Sequence, residues 1–176
     1  ISLMPTNLYG PGDNYCDESS HVMAALLKKF ILAKRYKFKN VKCWGTGKPL
    51  REFLPVDDLG DACIHVLEKW NPDYADSPKC DNGEKLLYLN VGSGEEISIK
   101  NLAKKIALLT DFQGNIIWDN TKPDGTFRKN LDISRLRSLG WEPQITLTNG
   151  IKKVIEDINA SLDDKSQEKQ ILKNFF

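Results

Sequence analysis

Trp44 to Asp58 reads WGTGKPLREFLPVDD, and this stretch decides how the chain folds. Gly45 and Gly47 bracket a tight turn, Phe53-Leu54-Pro55-Val56 is a short extended run, and Asp57 or Asp58 stands where a helix should be capped. On that helix Leu59, Ala62, Cys63, Val66, Leu67 and Trp70 make one apolar stripe at helical spacing. A strand running straight into a helix is the repeating unit of α/β folds. Arg51 lies between the glycines and the strand, with no apolar pattern around it. A guanidinium fork grips phosphate at two points, where an ammonium offers a point charge. Two readings of the segment stand: a loop that holds something flat and anionic between Trp44 and Arg51, and a surface hairpin with a solvated arginine.

The same alternation continues outward. Ile1 to Met4 reads as a short buried strand stopped by Pro5, followed by a loop to Ser20 whose length points to function. Ser19 or Ser20 caps a helix with Val22, Leu26, Phe30 and Ala33 on one face, reaching about Lys34, and Val41 to Trp44 is a strand. After a polar loop from Asn71 to Glu84, Leu86 to Val91 is a strand turned over by Gly92-Ser93-Gly94. Ser98 caps a helix carrying Ile99, Leu102, Ile106 and Leu109, and Ile116 to Trp118 is a strand. Asn120 to Lys129 is a polar loop, Ser134 to Leu139 a short helical turn ended by Gly140, and a last amphipathic helix begins near Leu147. From Ser161 the chain turns polar and is expected to fray. The class is α/β.

Composition narrows the function. The 176 residues carry 25 basic and 24 acidic side chains, a net charge of +1, which gives no electrostatic footing for nucleic acid or an anionic membrane. No apolar run is long enough to span a bilayer. Cys16, Cys43, Cys63 and Cys80 are scattered, without a C-x-x-C pair, and two histidines are too few for a zinc set. Free thiols in a reducing cytoplasm are expected. Ile1-Ser2-Leu3-Met4 reads as the inside of an element already under way, so the chain is expected to be part of something longer.

Several residues have two readings each. Pro5, Thr6, Asn7 and Leu8 leave a strand at its carboxyl end, where ligands sit in doubly wound sheets, but they also fit an ordinary Pro/Asn turn. His21 falls in the first turn of its helix and can act as acid or base, or be a plain neighbour of a cap. Lys28 and Lys29 are two turns further on, as a binding pair or a solvated one, and His65 reads as solvated. Asp124 and Lys129 belong to the KPDGTFRK loop, which alone is a Pro-Asp-Gly turn.

As a set, PTNLYGPGDN (5–14), SSHV (19–22), WGTGKPLREFLPVDDL (44–59), NVGSGEEISI (90–99), KPDGTFRK (122–129) and LGW (139–141) resemble the back half of the GDP-L-fucose synthase family of extended short-chain dehydrogenases, to about Leu162. The resemblance implies the end of a Rossmann sheet plus a small α/β substrate-binding domain over residues 1–162, with a polar tail at 163–176. It implies 3,5-epimerisation and NADPH-dependent 4-reduction of GDP-4-keto-6-deoxy-mannose, with NADP(H) as cofactor, in a cytoplasmic homodimer. Pro5, Thr6, Asn7 and Leu8 then line the nicotinamide, His21 is the epimerisation acid beside the cofactor, and Lys29, Trp44, Arg51, Asp124 and Lys129 bind the GDP-sugar. Lys29 stands where the family often has Arg, Pro55 where it commonly has His, and Phe127 where the loop normally has Pro. No Gly-rich dinucleotide turn and no Tyr-x-x-x-Lys pair occurs in the sequence, and Cys16 does not match the family's catalytic cysteine. The chain alone is therefore expected not to reduce. The competing readings are another sugar-nucleotide epimerase or dehydratase, and a nucleotide-sugar binding module without chemistry.

Overall fold

Successive side chains of an extended strand face opposite ways, and the strand Leu50–Pro55 uses this to serve two cores at once: Phe53 enters one and Leu54 the other. The structure, a computed structural model, describes residues 1–16 and 19–163. The proposed tail at 163–176 lies, beyond Asp163, outside the described residues. In chain order the elements are β1 (Ser2–Pro5), β2 (Asn7–Tyr9), α1 (Val22–Arg35), β3 (Asn40–Trp44), β4 (Leu50–Pro55) and α2 (Val56–Lys69). There follow β5 (Tyr88–Val91), β6 (Glu96–Ser98), α3 (Ile99–Leu109), β7 (Asn115–Asp119), β8 (Arg128–Lys129), α4 (Ser134–Ser138) and α5 (Leu147–Asp163). β1 pairs with β5, β3 with β7, and β2 with β4, all parallel; β6 joins β4 antiparallel, and β8 joins it parallel. Parallel strands with helices between them confirm the α/β expectation.

The larger core gathers α1, α3 and α5 over β3 and β4, with Phe30 set edge-on to Phe112 at a centroid distance of 5.5 Å. The smaller core puts Ala62 and Val66 of α2, and Trp70 just after it, against Leu86, Leu89 and Val91, closed by Leu136 and Trp141. Burying each large apolar side chain contributes about 1.5–3 kcal/mol before conformational entropy is subtracted. α3 is capped as its sequence predicts, Ser98 Oγ accepting from the Asn101 N–H at 3.1 Å. α1 and α3 end in the same way, with Lys37 (φ 56°) and Asp111 (φ 53°) in the left-handed region. The Phe38 and Phe112 N–H groups reach back to the Ala33 and Ala107 carbonyls at 2.8 and 2.9 Å, the Schellman closure that usually uses glycine.

Glu52 ties these parts together. It is 0 % exposed, so its carboxylate has to be met by donors. Oε1 accepts from the Gly94 N–H at 2.8 Å and Oε2 from the Leu131 N–H at 3.0 Å. Its backbone carbonyl accepts from Asn7 Nδ2 at 2.8 Å and Thr6 Oγ1 at 3.3 Å. A Cβ at Gly92 would lie 2.1 Å from Oε1, so the Gly92-Ser93-Gly94 turn needs its first glycine for space.

Several sequence expectations are corrected. Arg51 is inside a strand and not in a loop, because the run Arg51–Glu52 is held by cross-strand pairing to β6 and β8. β1 is largely exposed and includes Pro5, which sits at register with Val91. Neither Asp57 nor Asp58 caps α2; Pro55 precedes the helix, and buried Asp58 accepts from the Gln144 and Ile145 N–H groups at 3.3 and 3.1 Å. The stripe on α2 is narrower than drawn, with Cys63 exposed and Leu67 76 % exposed, since only one flank of that helix is packed. His65 is not solvated: its Nε2 lies 2.8 Å from the Leu139 carbonyl. β8 is a strand within the predicted 120–129 loop, and α5 stays helical through Asp163.

Two stability outcomes follow. Glu52→Gln turns an N–H donor toward another donor and weakens a charge-assisted bond, so urea unfolding should show a loss of about 2 kcal/mol or more. Lys37→Gly relieves the left-handed backbone and should raise stability by about 0.5–1 kcal/mol in the same assay.

Candidate functional site

The β3–β4 turn brings the candidate residues together. Gly45 and Gly47 both have φ +73°, and each also leaves a hollow that a neighbour fills. A Cβ at Gly45 would lie 2.2 Å from Asp124 Oδ1, and one at Gly47 would lie 2.6 Å from the Trp118 ring. Asp124 is thereby docked on the turn, with Oδ1 accepting from the Thr46 N–H at 2.8 Å and Oδ2 from the Thr46 hydroxyl at 2.6 Å. These bonds from Thr46 hold the Asp124 carboxyl below the usual carboxylate range.

Beside this turn is a cavity of about 190 Å³ lined by Trp44, Arg51, Val22, Ile99, Pro123 and Asp124, among others. A second, of about 380 Å³, shares Val22, Trp44 and Ile99 and adds Lys29 and Cys43. Trp44 is 62 % exposed on the rim common to both. Lys29 Nζ lies 5.6 Å and Lys122 Nζ 5.3 Å from its ring centroid, within cation–π range. At the base of the second cavity, burial pushes the Cys43 thiol up to about 11, with the Lys29 charge pulling the other way.

Arg51 and Lys129 are register partners on β4 and β8. Neighbouring like charges repel, so this pairing favours an anion between them. The Arg51 guanidinium has one bond, from Nη1 to the Leu50 carbonyl at 2.7 Å, and a Cβ on Gly125 would come 3.1 Å from Nη2. One residue along the same strands the charges are balanced differently, Arg128 forming a forked pair with Glu96 at 2.6–3.0 Å.

His21 is exposed and immediately precedes α1, its side chain making no capping bond, between the cavity-lining residues Ser20 and Val22. Lys28 and Lys29 part company. Lys28 is 1 % exposed and reaches the Tyr15 carbonyl at 3.0 Å, which anchors the long loop, while Lys29 faces the cavity. Gly12 anchors the same loop to α5, its N–H donating to Asp157 Oδ2 at 3.1 Å.

The strip from Pro5 to Leu8 is placed differently from the wall around Trp44. Thr6 and Asn7 direct side-chain donors inward to the Glu52 carbonyl, and Leu8 packs on the smaller core. What this strip offers a ligand is the exposed Pro5 ring and its backbone edge. Asn7 is register partner of Phe53, two residues beyond Arg51, so strip and wall are about 7 Å apart along β4. Among the described residues no cluster of His, Cys, Asp or Glu suits a metal ion. Sequence reasoning missed Thr46 and Lys122, which act through tertiary contacts; the lysine opening KPDGT was the available signal.

Residues 1–77 match the NAD dependent epimerase/dehydratase family. The chain is 46 % identical over 156 residues to GDP-L-fucose synthase 1 of Arabidopsis thaliana, covering 89 % of this chain and 44 % of that protein. It is 44 % identical over 150 residues to the GDP-L-fucose synthase of Escherichia coli (strain K12), covering 85 % and 46 %. A solved GDP-L-fucose synthetase from Naegleria fowleri bound to NADP superposes with a TM-score of 0.76 at 25 % identity, over 92 % of this chain and 47 % of that one. The chain thus spans about half the length of the curated relatives it matches. On sequence over residues 1–77, and on fold, it carries a domain of the NAD dependent epimerase/dehydratase family.

Proposed function

We propose that residues 1–162 are the GDP-sugar-binding half of a GDP-L-fucose synthase, which converts GDP-4-keto-6-deoxy-D-mannose to GDP-L-fucose by 3,5-epimerisation and 4-reduction. The observation that carries this reading is the register pairing of Arg51 with Lys129 beside an exposed Trp44. Two adjacent cations suit a diphosphate, the arginine bridging two oxygens and the lysine neutralising the remaining charge. The indole supplies a flat apolar surface for a base or sugar, and Lys29 adds positive charge at its edge. The ribose hydroxyls are assigned to Asp124.

The epimerisation exchanges protons at C3 and C5, which the C4 ketone acidifies by delocalising the carbanion as an enolate. His21, at the rim between two cavity-lining residues, is assigned to give a proton back to that carbanion; imidazole suits this because it exchanges protons near neutral pH. Bound NADP(H) would supply hydride to C4, and the exposed edge of Pro5 to Leu8 together with His21 is assigned to its nicotinamide end. NADP(H) is preferred to NAD(H) because the relative of known structure carries NADP. The same reading includes a homodimer, and a cytoplasmic location is supported by four cysteines scattered through the sequence without a C-x-x-C pair. No helix among the described residues is long and apolar enough to cross a membrane.

Calorimetric titration with GDP, UDP and GDP-mannose tests the assignment. GDP should bind, and Arg51→Ala should weaken it by about 1.5–3 kcal/mol, with Arg51→Lys recovering part of the loss. Tighter binding of UDP than GDP, or an Arg51→Ala variant that binds GDP as well as the parent, would overturn it. With NADPH and the 4-keto sugar, this chain alone should oxidise no NADPH, because its sequence has no Gly-rich dinucleotide turn and no Tyr-x-x-x-Lys pair.

A further inference from the structure

Residues 120–127 are exposed throughout, yet they form one side of the smaller cavity. The segment leaves β7 at Asp119 and rejoins the body at Phe127, whose carbonyl accepts from the Leu50 N–H at 2.8 Å. Thr121 and Lys122 are tied back to Asp119, and beyond them the attachment is concentrated at Asp124. The carboxylate fills the hollow over Gly45 and takes both Thr46 donors, while the Lys48 N–H donates to Thr46 Oγ1 at 3.2 Å and so leaves that hydroxyl aimed at Asp124. Lys122, two residues earlier, lies over the Trp44 ring, and Gly125, one residue later, adjoins the Arg51 guanidinium. The strap therefore runs from the Trp44 ring to the Arg51 guanidinium, two of the side chains assigned to the ligand.

We propose that Thr46 is a positioning residue: through Asp124 it latches the 120–127 strap across the cavity, and the latch must open for nucleotide to enter or leave. This rests on the nucleotide-diphosphate reading of the cavity. Thr46 itself lies behind Asp124 and is not assigned to the ligand. The latch is poised for such use, since the charge-assisted bonds hold it while the strap has little buried apolar surface to keep it down. With the latch undone, Asp124 leaves the cavity wall, while Lys122 stays tied through its N–H to the Asp119 carbonyl at 3.1 Å.

The test compares Thr46→Val, which keeps the shape and the backbone N–H but loses the hydroxyl, with Thr46→Ser, which keeps the hydroxyl. Amide exchange at pH 7 should speed up by about tenfold in Thr46→Val at the residue 46 N–H, the donor that Asp124 of the strap covers, and remain at the parent rate in α1 and α5. The GDP off-rate, read by stopped-flow with a fluorescent GDP analogue, should rise by about the same factor. Thr46→Ser should restore both. Unchanged exchange at residue 46 in Thr46→Val, or a serine variant that behaves like valine, overturns the latch. If the parent binds no GDP, the nucleotide reading fails, and the exchange comparison decides by itself whether Thr46 holds the strap.

Discussion

A carboxylate shut away from water has to be satisfied on every side, and Glu52 arranges the centre of this fold around that requirement. Its side chain draws in the turn after β5 and the segment after β8, while its carbonyl takes the side chains at the start of β2. Three stretches remote in sequence converge on one residue of β4. The neighbouring residue is Arg51, so what fixes the strand also fixes the cation assigned to the ligand. The inward-turned donors of Thr6 and Asn7 belong to the same arrangement, and they leave that strip to present its backbone edge outward.

The turn between β3 and β4 shows how one short motif can meet several needs. Positive φ at Gly45 and Gly47 makes the reversal possible, and the missing side chains make room for Asp124 and the Trp118 ring. With Asp124 and Trp118 seated there, the elements on either side of the cavity are keyed to each other. Trp44, exposed between Lys29 and Lys122, stays accessible because the turn itself is buried beneath it.

The alternation of strands and helices was legible because period-2 and period-3.6 apolar patterns are local properties. The Ser98 cap could be read for the same reason. What escaped was decided at long range. Glu52 drew no reading from its sequence neighbours, because its donors lie 42 and 79 residues away. Asp58 looked like a cap but serves N–H groups 86 and 87 residues on. Lys28 and Lys29 were hard to rank by helical angle, and packing sends the first to Tyr15 and the second to the cavity. Family resemblance named the residues of the Trp44 wall as a group. Their mutual geometry, above all the strand pairing of Arg51 with Lys129, was not in the sequence pattern.

That pairing has a thermodynamic side. Two cations held in register work against the strands that carry them, which costs the β4–β8 seam some of its cohesion. An anion that settles there cancels the repulsion and becomes part of the fold's own cohesion. By mass action, a ligand at about a hundred times its dissociation constant adds about 2.7 kcal/mol to the folded state. On the nucleotide reading proposed above, the melting temperature of this protein then follows its surroundings as well as its sequence.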